Sequence, residues 1–243
     1  MLGTAIPPLE LSAIRVVLLD IEGTTTPIEF VHQVLFPYAR ARVHEYLARH
    51  AGDADVQRDI ALLRAEHDAE SERGVPAWDA ETYFYWLMDR DRKSTGLKSL
   101  QGKIWEAGYR AGELKGKGEI YPDVRPALER WHKEGKQIAI FSSGSIQAQR
   151  NLFANTNAGD LSGYLSAYFD TTTGPKRDAE SYRRIASRLG VPSPAILFVS
   201  DVVAELDAAR AAGMRTALAT RSGAEPDESL TPHPRVRSFA ELA

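Results

Sequence analysis

Residues 15–26 read Arg-Val-Val-Leu-Leu-Asp-Ile-Glu-Gly-Thr-Thr-Thr, and no other stretch constrains the fold as much. Val16 to Leu19 is a short apolar run without helical spacing, ended by Asp20, with Gly23 close behind. Such a run predicts a strand buried on both faces, as in a parallel sheet covered by helices. Ligands of such sheets bind beyond the carboxyl ends of the strands. Asp20 and Glu22 stand at that end, Gly23 permits a sharp turn, and Thr24 to Thr26 bring hydroxyls near. An aspartate there can attack phosphorus, and a second acid can protonate the leaving oxygen and then activate water. An idle, solvated acidic pair in a βα loop explains this stretch alone equally well.

The pattern then turns helical. Val31, Val34, Leu35, Tyr38, Val43, Tyr46 and Leu47 keep i, i+3, i+4 spacing, with Pro37 predicting a kink or two pieces. Further helices are expected around Val56–Leu63, after a capping Asp79 with its aromatics Tyr83 to Trp86, and from about Thr95 to Tyr109. Met1 to Ser12 reads as a loose lead-in, and Gly112, Gly116 and Gly118 as a flexible stretch. No strand signal appears between Thr26 and Gly118. From Ile120 the βα alternation returns, with Asp123 expected to cap a helix through Trp131. Strands are predicted at Gln137–Phe141, Tyr168–Asp170, Ala195–Val199 and Arg215–Ala219, with helices between them. The expected fold is therefore α/β, a doubly wound, Rossmann-like parallel sheet interrupted by an all-helical block. Residues 1–26 and 117–243 form the core, and residues 27–116 form a helical cap.

Four polar sites recur at corresponding places. Asp20 and Glu22 end the first strand, and Ser142 ends the second. Lys176 precedes a helix, and Asp201 ends a later strand, with Glu205 one turn beyond. An oxygen-rich set suits Mg²⁺, which keeps several waters; Asp20 and Asp201 can hold it, with the Glu22 carbonyl as a third ligand. Ser142 and the amides of Ser143 and Gly144 can donate to phosphoryl oxygens near a helix N-terminus. Lys176 supplies a point charge where negative charge gathers. Each has a plain alternative: Ser142 and Asp201 as helix caps, Lys176 as a surface lysine, Glu205 as a solvated helix residue.

This order of motifs resembles the haloacid dehalogenase-like hydrolase superfamily, whose first motif is Asp-x-Asp-x-Thr. Here it reads Asp20-Ile21-Glu22-Gly23-Thr24, and the glutamate points to the enolase-phosphatase branch of methionine salvage. Val34-Leu35-Phe36-Pro37-Tyr38, Asp91-Arg92-Lys93-Ser94-Thr95, Gln101-Gly102 with Ile104-Trp105, Gly112-Glu113-Leu114, Phe141-Ser142-Ser143-Gly144-Ser145 and Phe169-Asp170-Thr171 are similar to the same branch. Lys103 stands where that resemblance leads one to expect a histidine. The resemblance implies one Mg²⁺ per subunit, a monomer, and a phosphorylated diketo substrate that is enolised and then dephosphorylated. It implies Asp20, Glu22 and Asp201 as metal ligands, and Glu22 as acid/base. Lys176 joins Asp20 and Glu22 in the chemistry, and Ser142, Ser143, Gly144 and Lys176 contact the phosphate.

Composition excludes other classes. The 243 residues are 43% hydrophobic and 26% charged, with net charge −3, so no nucleic-acid partner is suggested. The absence of cysteine excludes disulfides, thiolate metal sites and cysteine nucleophiles. The apolar runs are too short for a membrane span, and the cytoplasm is the expected location. A Mg²⁺-dependent phosphomonoesterase without enolisation, or a phosphoacceptor regulatory domain, stays open as an alternative reading.

Overall fold

The computed structural model describes residues 11–92, 94–221 and 231–242. Most of the lead-in and Lys93 of the Asp91–Thr95 run lie outside the described residues. The chain divides into two compact units, Met1–Ile28 with Lys115–Ala243, and Glu29–Leu114.

The first unit carries a six-stranded, wholly parallel sheet. Its strands are β1 (Val16–Leu19), β2 (Gln137–Phe141), β3 (Ala167–Phe169), β4 (Ile196–Ser200), β5 (Arg215–Ala219) and β6 (Arg235–Val236). Their order is β3-β2-β1-β4-β5-β6. This is the doubly wound α/β class expected from the alternation. The chain winds outward from β1 through β2 to β3 and then crosses to β4 on the other side of β1. That reversal opens a crevice at the carboxyl end of β1. Helices α6 (Val124–Lys133), α7 (Ile146–Ala154), α8 (Ala179–Leu189) and α9 (Val203–Ala211) connect the strands. Val16 and Leu18 of β1 pack with Phe141, Phe198, Tyr182 and Ile185 on one side. Val17 and Leu19 are equally buried and face the other side, as the two-residue period requires. Gly190 stops α8 at φ 67°, the left-handed conformation a glycine adopts without steric cost.

Two details depart from the sequence reading. The two-residue β6 was not anticipated; it pairs with β5 through Leu218 and Ala219 and is too short to carry a periodic signal. Asp123 occupies the N-cap position of α6, but its carboxylate caps nothing there. It accepts instead from Arg221 at 2.7 Å, from Ser238 Oγ at 3.0 Å and from the Phe239 amide. A distant cation outcompetes the local cap.

His233 ties the β6 side to the sheet. It is fully buried, 2.7 Å from Thr216 Oγ1 and 3.1 Å from the Asp207 carboxylate. Burial lowers its pKa, against the upward pull of Asp207. The folded chain thus binds fewer protons here than the unfolded chain as pH falls below about 6.5, so stability drops on that side. The Tm of the wild type should fall more between pH 7.5 and 5.5 than that of His233→Asn. Equal falls would remove His233 from the acid response.

Among the described residues, the second unit contains no strand. Its helices are α1 (Ile28–Phe30, beginning at the last residue of the first unit), a π-helical stretch Val31–Leu35, α2 (Phe36–Arg49), α3 (Ala54–Ala69), α4 (Ala80–Asp89) and α5 (Thr95–Arg110). Pro37 explains the break: it has no N–H to continue the ladder, and Phe36 N reaches back five residues to the Val31 carbonyl. Asp79 caps α4 through the Thr82 amide at 2.8 Å. Val43, Leu63, Phe84, Leu87, Leu100 and Ile104 form the centre of its core. Lys103 donates to buried Asp59 and, at 2.9 Å, to the Asp55 carbonyl. At this position the lysine is a tie between α5 and α3.

Candidate active site

The site is assembled where β1, β2 and β4 end side by side. Leu19 is in register with Ile140 and Val199, so Asp20 begins one residue beyond the sheet between its two neighbours. Its amide donates to the Val199 carbonyl at 3.0 Å. The Asp20 carboxylate is buried and heavily bonded: Oδ1 accepts from Lys176 Nζ at 2.6 Å and from the Ile21 amide at 2.8 Å. Oδ2 accepts from Ser200 Oγ at 3.3 Å. The turn that follows folds onto one acceptor. The amides of Thr24, Thr25 and Thr26 all lie within 3.1 Å of the Ile21 carbonyl, and Gly23 N donates to the Thr26 carbonyl at 2.8 Å. Glu22 projects from this turn, exposed, and pairs in a bridge with Thr26.

Lys176 is not a surface lysine. Its side chain is 9% exposed, with Nζ 2.6 Å from both Asp20 and Glu205. Its main chain is held by Tyr182, whose hydroxyl donates to the Lys176 carbonyl at 2.7 Å from within the core. Burial alone would lower the lysine's pKa, but Asp20 and Glu205 outweigh burial and raise it, so the ammonium stays charged. Glu205 is buried, not a solvated helix residue, and lies 3.2 Å from Ser200 Oγ, whose single hydrogen it shares with Asp20 Oδ2. Burial and the Asp20 charge push its pKa up.

Asp201 is open to solvent, yet protein atoms crowd its carboxyl and Asp20 adds like charge. Together they push its pKa up to about 6, with Glu22 adding to the rise and Lys176 opposing it. It does not cap α9; Val202 holds the cap position, and its amide donates to Ser200 Oγ at 3.1 Å. At the end of β2, Ser142 is buried, and its Oγ accepts from the Gly144 amide at 3.2 Å. That amide, expected as an anion donor, is turned onto the serine. Ser145, not Ser142, caps α7 through Ala148 N at 3.2 Å. Two further residues brace this loop. Gln149 Nε2 donates to the Gly144 and Phe169 carbonyls at 2.8 Å, and Asp170 accepts from Ile146 N at 3.3 Å. Asp170 was legible as the end of a strand; Gln149 looked like one more helical residue.

The structure therefore joins Asp20, Lys176, Ser200 and Glu205 by direct contact, with Asp201 and Glu22 close enough to sense the same field. Ser142, Ser143 and Gly144 lie one strand over. Among the described residues no three His, Cys, Asp or Glu side chains form an all-side-chain metal cage. A hard divalent cation needs less: two carboxylates, a main-chain carbonyl and waters suffice. Two observations fit such an ion here. The acidic groups outnumber Lys176, and the Asp20 charge helps raise the pKa values of both Asp201 and Glu205. A Cβ added to Gly23 would lie 2.2 Å from Asp201 Oδ2, so the Asp201 carboxylate abuts the main chain next to Glu22.

That contact yields a prediction. Gly23 sits at φ 69°, so Gly23→Ala costs about 1–2 kcal/mol in backbone strain. It also displaces the Asp201 carboxylate. Exposed Asp201 can swing away, so the fold should survive while kcat falls on the order of 10²-fold. Unchanged kcat would show that the Gly23–Asp201 contact is incidental.

The model of the haloacid dehalogenase-like hydrolases matches residues 14–213. Enolase-phosphatase E1 of Synechococcus elongatus is 56% identical over 222 residues, covering 89% of this chain and 92% of that protein. The chain belongs to the enolase-phosphatase family of haloacid dehalogenase-like hydrolases. Enolase-phosphatase E1 of Azotobacter vinelandii is 50% identical over 232 residues, covering 94% and 97%. Among solved structures, the UTR4 protein of Saccharomyces cerevisiae superposes with a TM-score of 0.72 at 32% identity, covering 93% of this chain and 98% of that one. The similarity to these enolase-phosphatases spans both compact units, the helical one included.

Proposed function

We propose that this enolase-phosphatase converts 2,3-diketo-5-methylthiopentyl 1-phosphate into the acireductone 1,2-dihydroxy-3-keto-5-methylthiopentene and phosphate, within methionine salvage. The observation that carries this reading is Asp20, clamped by Lys176 at 2.6 Å with Glu22 two residues beyond, in a chain 56% identical to an enolase-phosphatase. Asp20, the Glu22 main-chain carbonyl and Asp201 would hold one Mg²⁺ per subunit. Bound there, the ion supplies charge neutralisation at developing oxyanions.

The chain's own groups account for the remaining chemistry. Glu22 takes a proton from the C1 carbon, next to the C2 carbonyl; the C–H electrons form the C1–C2 double bond, the C=O π electrons move onto oxygen, and Glu22 returns the proton to that oxygen to give the enol. Phosphate release then breaks the bond between phosphorus and the C1 oxygen, and water supplies the oxygen added to phosphorus. Glu22 takes one proton from that water and passes it to the leaving oxygen, and the other proton departs with the phosphate. Lys176 opposes the charge gathered on the phosphoryl oxygens, and its two carboxylates hold the ammonium in place. Ser142, Ser143 and Gly144 orient the phosphate; the Gly144 amide does so once it is released from Ser142 Oγ. The helical unit Glu29–Leu114 serves as the cap, and the enzyme works as a monomer.

The direct assay is phosphate release from the diketo phosphate and from simple phosphate monoesters, with Mg²⁺ and with chelator. Strong preference for the diketo phosphate, abolished by chelator and restored by Mg²⁺, is expected. Equal turnover of simple esters without an acireductone product would replace this reading with a general phosphomonoesterase. Among the described residues no helix is long and apolar enough to cross a membrane.

A further inference from the structure

The Asp20–Thr26 turn is held from outside by one residue that the chemistry above does not use. Arg221 follows β5, and its side chain is only 5% exposed. Its Nε donates to the Thr24 carbonyl at 3.0 Å. One terminal nitrogen donates to Asp123 Oδ2 at 2.7 Å and to the Arg237 carbonyl at 3.2 Å. The guanidinium carbon lies over the rings of both Tyr121, 4.6 Å from the centroid, and Phe239, at 4.3 Å. Tyr121 is itself tied to the turn, its amide donating to the Thr25 carbonyl at 3.0 Å. Burial raises the Asp123 pKa, but the Arg221 hydrogen bond, the Phe239 amide and the Arg221 charge outweigh it, so the net shift is downward and the pair is ionised.

We infer that Arg221, anchored by Asp123, is a positioning residue for the turn that carries Asp20 and Glu22. It touches no reacting atom. It fixes the carbonyl of Thr24 and, with it, the segment through which the chain leaves the first unit at Ile28. Through Asp123 and Tyr121 it fixes the segment by which the chain returns after Lys115. A planar fork can serve the carbonyl and the carboxylate at once, whereas a lysine offers only a point charge. A displacement of about 1 Å in a catalytic turn is enough to cost on the order of 10²-fold in rate.

The inference rests on the site assigned to Asp20 and Glu22, so Asp20→Asn is assayed beside it: an active Asp20→Asn refutes the site, not the clamp. In Arg221→Lys, charge is kept opposite Asp123 and Tm should stay within a few degrees of wild type. Its kcat should nonetheless fall about 10-fold or more, with KM within about twofold. Asp123→Asn, which preserves volume, should show the same split and carries the test if Arg221→Lys fails to fold. If kcat in Arg221→Lys and Asp123→Asn tracks only the folded fraction, or is unchanged, the pair is a structural tie and the inference fails.

Discussion

Asp20→Asn should lower phosphate release by on the order of 10³-fold or more while the protein folds normally. The activity loss follows from removing a carboxylate that would ligate the ion and stand at phosphorus, which is worth several kcal/mol of transition-state stabilisation. The fold survives because the substitution is isosteric. The amide oxygen can still accept from Lys176 and Ile21 N, and the amide nitrogen faces Ser200 Oγ, which can accept. Lys176 also keeps Glu205 as a counter-ion at 2.6 Å. Asp201→Asn should lose comparable activity. Circular dichroism and Tm, measured with kcat, check both; near wild-type kcat in either variant would remove that residue from the site.

Lys176→Met should abolish activity and also destabilise the fold, by about 3–5 kcal/mol, because it strands Asp20 and Glu205 as buried like charges. The pH dependence has a definite sign. Glu205 already has a raised pKa, and losing the ammonium raises it further. A folded state with a raised carboxyl pKa takes up a proton more readily than the unfolded chain, so the deficit is largest at high pH and shrinks as pH falls through the folded pKa. Lys176→Met combined with Glu205→Gln should therefore regain much of the stability at pH 8 and none of the activity. Urea titrations at pH 8 and pH 5.5 check this. A double variant as unstable as the single one would mean that lost packing, not stranded charge, dominates.

The parts of the fold legible from residues alone were those with strong local periodicity. Val16–Leu19 and Ile138–Phe141 are buried on both faces, so their apolar runs are unbroken, and the absence of such runs between Thr26 and Gly118 marked the helical insertion. β6 was not legible because two residues cannot display a period. The candidate site was readable because strand ends converge in a doubly wound sheet, which makes Asp20, Ser142 and Asp201 meaningful by position. Partnerships were harder. Asp123 carried every local mark of a helix cap, yet Arg221, 98 residues away, takes its carboxylate. Glu205 was visible one turn after Asp201, but only the fold shows that it closes on Lys176. Gly144 looked like a free amide and is bonded to Ser142 Oγ. Each of these turns on a contact distant in sequence or on a side-chain rotation, which no spacing rule encodes.

Glu22 carries the central claim, that one carboxylate enolises the substrate before the same site removes its phosphate. Stopped-flow absorbance of the enol, recorded together with phosphate release from 2,3-diketo-5-methylthiopentyl 1-phosphate and Mg²⁺, tests it directly in wild type, Glu22→Asp and Glu22→Gln. The account predicts that the enol signal precedes phosphate in the wild type, that Glu22→Gln stops both steps, and that Glu22→Asp, with its shorter reach, selectively slows the enol phase. Phosphate appearing without a preceding enol, or Glu22→Asp enolising at the wild-type rate while losing only phosphate release, would contradict it.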